Sequence, residues 1–335
     1  MRKRKTTMKK ILLLLLIAIL PFTTYAQSTK IRIATVIPEG SSWIKCMRNI
    51  GDEVQRLMNI QFIIYAGGTA GEANAILEKI KYGQLDGGGF MGSTISELSP
   101  KLRILDLPYK YKNLEEWKYV FKKIRREATK DLEKNNFIAL GWSYGGFVDL
   151  YSKQPIRTLQ DLQDAKVWFS PSDPLMDAFF RKLKIHGVPL STTNIYPSLQ
   201  TGLLNCVYNT PYGIMAMQWH TQVQYKTNYP IVNTMGTVII TKKAFESIPS
   251  QYRRLFLTIC TKHFNKLAEE IEKQNQQAEQ DLATRFNIQT IQPDQEWLKE
   301  TEKISNEIAQ EGIGKLYTKE LYEEVETYLK EIRKK

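Results

Sequence analysis

The chain has 335 residues, 42% of them hydrophobic and 24% charged, which is enough for two α/β lobes with a core each and unlike a disordered or fibrous polypeptide. Its formal net charge is +12, but Arg2, Lys3, Arg4, Lys5, Lys9 and Lys10 supply six of those charges within residues 1–26, where no acid accompanies them, so half of the excess leaves with that segment. A balance that mild, with no basic stripe interleaved with aromatics, gives no reason to expect nucleic acid as a partner.

Residues 1–26 begin basic, continue through the apolar run Ile11 to Leu20, and end after Pro21 in small residues up to Ala26. That order is a secretory signal peptide, and its apolar run is too short for a mature transmembrane helix. No later stretch has transmembrane length, so the mature chain is expected to be exported and not membrane-spanning. Ile31 to Ile37 reads as a buried strand, with Ser41 or Ser42 capping a helix to about Met58. Gln61 to Ala66 is the next strand, Gly67 to Glu72 turn it into a helix carrying Ile76, Leu77 and Ile80, and a short strand lies near Gly87 to Met91. Strand and helix in alternation are the signature of an open α/β sheet.

Asn113 opens a long amphipathic helix with Trp117, Phe121, Ile124, Ala128 and Leu132 on one face. Phe137 to Leu140 and Phe147 to Tyr151 read as two strands on either side of a turn at Gly141 to Gly146. Pro155 to Asp164 then connects into a second lobe. There, the strand Lys166 to Phe169 runs to Asp173, which can cap a helix beginning at Pro174, and a short helix ending at Gly202 precedes the strand Leu203 to Tyr208. Strand, helix, strand implies a right-handed parallel crossover, whose ligands sit beyond the carboxyl ends of the strands. Here that means Trp168 to Ser170 and Tyr208 to Asn209. Tyr229 to Thr241 is a return strand. Past Pro249, a helix to about Arg285 would span roughly 50 Å at 1.5 Å per residue, long enough to brace both lobes. Asp294 to Gln310 and Thr318 to Arg333 form two closing helices.

Two motifs suggest chemistry and lack its context. Gly87 to Gly92 fits the letters G-x-G-x-x-G, but polar residues precede it, so the glycines occupy the strand and close backbone approach explains them better than a dinucleotide. Gly141 to Gly145 fits the nucleophile elbow G-x-S-x-G of an exported serine hydrolase using Ser143. Gly146 to Ser152, however, alternates like a strand where the elbow requires a helix. The turn at Gly67 to Glu72 could offer backbone N–H groups to an anion, or serve only as a tight turn. Cys46, Cys206 and Cys260 are too few and scattered for a disulfide framework, and His186, His220 and His263 have no metal-ligand spacing. No cofactor, metal or catalytic residue is expected. Trp43, Trp142, Tyr144, Trp168 and Tyr208 recur at strand ends or helix starts, which favours a shared pocket.

Five passages in order carry a family resemblance: the early strand ending in Pro38, Gly67 to Phe90, Leu98 to Tyr109, Ser152 to Trp168, and Tyr196 to Pro211. The chain resembles the periplasmic solute-binding proteins of TRAP transporters, the DctP-type family, over essentially its whole mature length. The resemblance implies an α/β, two-lobe, type II-like periplasmic binding protein with hinge strands between the lobes and long bracing C-terminal helices. It also implies closure on a small molecule and delivery to TRAP permease membrane subunits; a ligand sensor without a permease would have the same fold. The divisions expected are signal peptide 1–26, lobe I 27–152, lobe II 153–228, a return 229–248, and bracing helices 249–335. The family's usual carboxylate-binding arginine is replaced by Trp168, and a second position often arginine by Phe147, while Asn209 matches a polar contact. This resembles a divergent branch suited to apolar or amphipathic ligands in place of simple dicarboxylates. The expected ligand contacts are Trp168, Ser170, Tyr208, Asn209, Trp43, Gly68, Met91 and Tyr144.

Overall fold

The computed structural model describes residues 28–170 and 173–334; the segment read as a signal peptide lies outside them. Thr29–Thr35 (β1) pairs in parallel with Ile60–Tyr65 (β2) on one side and Gly87–Met91 (β3) on the other. Ser42–Met58 (α1) and Ala73–Lys81 (α2) make the two crossovers. Ser41 starts α1 by accepting from the Ile44 N–H, and Asn59 ends it in the left-handed region at φ 53°. Ser93–Leu98 (α3), a 3₁₀ turn over Pro100–Asp106 and Leu114–Lys134 (α4) follow, with the Asn113 side chain capping α4.

Phe137–Ser152 (β4) is one uninterrupted strand, which corrects the expected turn at Gly141 to Gly146. It pairs antiparallel with Tyr225–Thr241 (β8) along its whole length, from Phe137 opposite Thr241 to Ser152 opposite Tyr225. The glycines are there for proximity and for irregularity. A Cβ on Gly141 would lie 2.3 Å from the Phe264 ring, and one on Gly145 would lie 2.1 Å from the Thr234 hydroxyl. The register slips between Ala139 and Gly141, Tyr144 and Gly146, and Val148 and Leu150, so the long strand bends as it crosses.

The second half of the sheet hangs on the far end of β4. After Leu159–Asp164 (α5) come Val167–Phe169 (β5), Pro174–Lys182 (α6), Gly187–Pro189 (β6), Ile195–Thr201 (α7) and Cys206–Asn209 (β7). Asp173 caps α6 with Pro174 in its first turn, and Gly202 ends α7 at φ 76°, as the sequence predicts. β5 runs parallel to β7, giving the expected crossover, while β6, which the sequence reading omits, adds a three-residue parallel edge. Pro211–Ala216 (α8) leads on to β8.

The complete order is β2-β1-β3-β8-β4-β7-β5-β6, with Gln289–Ile291 (β9) against β8. Two lobes therefore share one sheet, joined through the β4–β8 ladder. Beyond Lys242–Glu246 (α9), the 35-residue helix Ser250–Thr284 (α10) braces both halves. Phe256, Phe264 and Ile271 pack with Ile33, Trp43 and Val54, and Leu282 packs with Tyr151, Trp168 and Trp219. At the second lobe, Lys226 of β8 is buried 3.1 Å from Asp149 of β4 and also bonds Glu279 of α10. Gln295–Glu311 (α11) and Lys319–Arg333 (α12) close the chain, Arg333 forking onto the buried Glu116 of α4. Among the described residues no helix is long and apolar enough to cross a membrane.

Because the Gly141 backbone lies directly under Phe264, Gly141→Ala should lower stability by about 1–3 kcal/mol or more through overpacking, measured by urea unfolding. A loss under about half a kcal/mol would show that α10 is not seated there as described.

Candidate ligand-binding cleft

A cleft of about 540 Å³ opens between the two halves of the sheet, within the range of small-molecule sites. It lies beyond the carboxyl ends of the strands. Ile37 and Pro38 follow β1, Met91 and Gly92 end β3, Ser170 follows β5, and Tyr208 to Thr210 end β7. That is where an open α/β sheet leaves strand ends uncovered.

Six of the eight expected contacts line this cleft: Trp43, Met91, Trp168, Ser170, Tyr208 and Asn209. Trp168 stacks at a tilt on Tyr208 with centroids 4.8 Å apart and meets Trp219 edge-on at 6.0 Å; its indole N–H donates to the Leu190 carbonyl at 2.9 Å. Its ring is thus both cleft wall and core. Trp43 is held edge-on by Phe264 at 5.8 Å. A Cβ on Gly236 would sit 2.8 Å from the Trp43 ring and 3.0 Å from Met91, so a bare backbone on β8 makes room for both.

Two of the expected contacts lie outside this lining. Tyr144 does not line the cleft: its hydroxyl donates to Glu272 of α10 at 2.9 Å, and the Lys118 ammonium lies 4.4 Å from its ring centroid. Period-two alternation through an uninterrupted strand, with a bulge beside it, decides this orientation, and the supposed turn hid that period. Gly68 is also absent from the lining; its N–H bonds the Thr35 carbonyl at 3.0 Å, holding the turn after β2. The elbow reading of Ser143 fails as well, because Ser143 is buried in mid-strand with its hydroxyl on the Tyr144 carbonyl at 3.2 Å and no helix follows it. Phe147, at the second position often arginine in the family, is not in the wall either.

The structure brings in polar groups that sequence reasoning missed. Asp106, from the 3₁₀ turn, is buried in the cleft wall and accepts from the Ser96 hydroxyl at 2.6 Å. Burial and the nearby Asp173 charge push its carboxyl up to about 7, against the opposing Ser96 bond and Arg103. Arg103 approaches Asp106 only to 3.9 Å and does not itself reach the wall. Asp173 also lines the cleft; burial raises its carboxyl, while capping N–H groups of Leu175 and Met176 and the Arg103 charge pull the other way. Asn233 of β8 is 1% exposed, lines the same space, and neither its amide nitrogen nor its amide oxygen has a partner. Among the described lining residues there is no lysine, arginine or histidine, and there are three carboxyls: Glu72, Asp106 and Asp173. A single acid inside the apolar run Ile104 to Leu107 and a lone amide in a β-branched strand were the available signals for Asp106 and Asn233.

The family model for bacterial extracellular solute-binding protein family 7, DctP, matches residues 33–315. A solute-binding protein of Sulfitobacter sp. (strain NAS-14.1) is 23% identical over 70% of this chain and 73% of its own length. A solute-binding protein of Roseobacter denitrificans is 23% identical over 54% and 56%. Among solved structures, the Bordetella pertussis receptor DctP7, which binds pyroglutamic acid, superposes with a TM-score of 0.81 at 16% identity, covering 90% of this chain and 99% of that one. The sugar acid binding protein DctPAm of Advenella mimigardefordensis, in complex with galactonate, gives 0.81 at 17% over 90% and 98%. A TRAP periplasmic solute-binding protein of Pseudomonas putida F1 with bound D-glucuronate gives 0.76 at 18% over 89% and 96%.

Two expectations follow from these buried polar groups. Folding raises the Asp106 carboxyl from the ordinary carboxylate range to about 7, so the folded chain binds a proton the unfolded chain has lost, and stability falls as pH rises through that window. Asp106→Asn, which keeps an acceptor for Ser96, should raise stability at pH 8 by about 1–3 kcal/mol and change little at pH 4, read by urea unfolding. Equal stability of the two chains at pH 8 would mean the carboxylate is fully compensated. Asn233→Leu, which removes an unsatisfied buried amide, should leave the free protein as stable or up to about 2 kcal/mol more so. A loss beyond about 2 kcal/mol would reveal a structural partner for Asn233.

Proposed function

The chain belongs to family 7 of the bacterial extracellular solute-binding proteins, and from that membership we propose that it is the exported, periplasmic binding subunit of a TRAP-type secondary transporter. In this reading it captures a small apolar or amphipathic organic solute by lobe closure and hands it to a membrane permease. Lobe I comprises residues 27–152 with the return 229–248, lobe II residues 153–228, and residues 249–335 brace them. The role is binding, not catalysis.

The observation that carries the reading of the ligand is the wall of the cleft. The solved neighbours named above hold pyroglutamic acid, galactonate or glucuronate, all acids. This cleft has the Trp168 indole at the position to which the family resemblance assigns a carboxylate-binding arginine, and its described lining contains no lysine, arginine or histidine. A dicarboxylate entering it would lose its hydration with no charged partner, at a desolvation penalty of several kcal/mol per ion. An apolar body laid on Trp168 gains instead about 25 cal/mol for each Å² removed from water.

Closure is then completed by the solute. Phe179 of the second lobe already packs on Tyr109 of the first at 5.5 Å, and hydrogen bonds reach across as well. Thr193 donates to Glu72 at 3.2 Å, and the Ser42 N–H donates to the Tyr212 hydroxyl at 3.3 Å. Bonds of that kind contribute about 1 kcal/mol each, a modest part of what closure requires. A ligand touching both sides shifts the population toward the closed form.

Purified from an envelope fraction, the protein should release a small organic solute detectable by native mass spectrometry and extraction. Trp168→Leu should weaken rebinding of that solute by about 10- to 100-fold in calorimetry, with some loss of stability because the ring also packs in the core. Unchanged affinity in a folded Trp168→Leu protein would remove this cleft as the solute site.

A further inference from the structure

The charges around Asp106 do not balance. Asp106 and Asp173 both line the cleft, and each is buried enough that desolvation dominates its titration. One guanidinium serves the two: Arg103 is 3.9 Å from Asp106, and its Nη1 has no hydrogen-bond partner. With both carboxyls ionised, one negative charge is left over among Arg103, Asp106 and Asp173, in a wall that also holds Glu72 and has no lysine, arginine or histidine among its described residues. Among the described residues, Ser96 bonds Oδ2 of Asp106, and both capping N–H groups bond Oδ1 of Asp173, which leaves the second oxygen of each carboxyl for a visitor.

Two further features share that space. Tyr208 feels the Asp173 charge and stacks on Trp168 at 4.8 Å, so an aromatic face continues from the carboxyls. Asn233, almost wholly buried, offers an unpartnered donor and acceptor to the same cleft. An acid cluster alone could be a structural accident, but a buried amide with both ends unused is a group waiting for a ligand atom.

Resting on the reading of this cleft as a solute site, we propose that its solute carries an ammonium head received by Asp106 and Asp173, an apolar body against Tyr208 and Trp168, and a polar group bonded by Asn233. A cation there neutralises the surplus carboxylate in low dielectric and gains the attraction of the aromatic faces. An anion meets like charge, and a neutral solute leaves the surplus uncompensated.

Proton binding sets the pH dependence. Asp106 is faced by Arg103 on its own turn, Ser96 of α3, Asp173 at the head of α6, and Tyr111 before α4. Burial raises the Tyr111 phenol well above its ordinary value, so the carboxyls do the titrating. Cation affinity therefore rises with pH as Asp106 ionises near 7.

The test uses three probes that share a phenylalkyl body and differ in head: phenethylamine, 2-phenylethanol and 3-phenylpropanoate. The mature chain, freed of endogenous solute by unfolding and refolding, is titrated with each by calorimetry at pH 8 and pH 5.5. Phenethylamine should bind roughly tenfold tighter than the alcohol at pH 8, lose most of that margin at pH 5.5, and outbind the propanoate at both. In Asp106→Asn the amine should lose most of its margin over the alcohol at pH 8. Should that variant misfold, the pH dependence of the parent chain decides alone. Equal binding of amine and alcohol at pH 8, or tighter binding of the propanoate, overturns the cationic head and leaves the apolar cleft standing. Binding of none of the three overturns both.

Discussion

The antiparallel ladder between β4 and β8 is the constraint on which the rest of the molecule depends. Both strands run the full width between the lobes, Phe137 opposite Thr241 at one end and Ser152 opposite Tyr225 at the other, so neither half of the sheet can be assembled without them. Their bulges concentrate the bending where the lobes meet. The strand ends of β1, β3, β5 and β7 consequently converge on one opening, and that opening is the cleft. α10 fixes the back of this arrangement. Phe264 seats on Gly141, and Asn275 donates to the Gly145 carbonyl at 2.8 Å while accepting from the Tyr212 N–H at 3.1 Å. A helix bonded to hinge strand and second lobe together leaves the open front as the side free to close.

Much of this was readable from local chemistry, and the failures share one cause. Helix starts at Ser41, Asn113 and Asp173, and the stop at Gly202, follow from capping and turn rules and appear where those rules put them. The run Gly141 to Gly146 went wrong because glycine marks two different things. It ends elements when φ must be positive, and it admits close neighbours when φ is ordinary. Gly141 and Gly145 belong to the second kind, which only Phe264, Thr234 and Met91 reveal, and those are far away in sequence. Losing the strand there also lost the alternation that turns Tyr144 toward Glu272 and away from the cleft.

The site was legible in its apolar part and not in its charged part. Trp168, Tyr208 and Asn209 sit at strand ends, a position that topology alone singles out. Asp106 lies in a 3₁₀ turn between helices, where its only local signal is an acid flanked by the apolar residues Ile104, Leu105 and Leu107. Asn233 sits in the middle of β8, where strand pairing satisfies the backbone but not the amide. Both become conspicuous only when burial and partners are counted together, because an unmet polar group costs free energy only once water has been excluded.

The distribution of charge sharpens this contrast. Beyond residues 1–26 the chain keeps a positive excess of half the formal +12, yet the described wall of its cleft has three carboxyls and no base. The surface excess is spread over solvated lysines, where an ion pair contributes well under about 1 kcal/mol and is screened by salt. The carboxyls of the cleft are few but desolvated, and their energies are correspondingly larger. In the proposed reading, a solute approaching from outside meets the dispersed positive charge weakly, and meets the buried negative charge strongly inside the cleft. Selectivity by charge would then be exerted at the wall where Asp106 is already withdrawn from solvent.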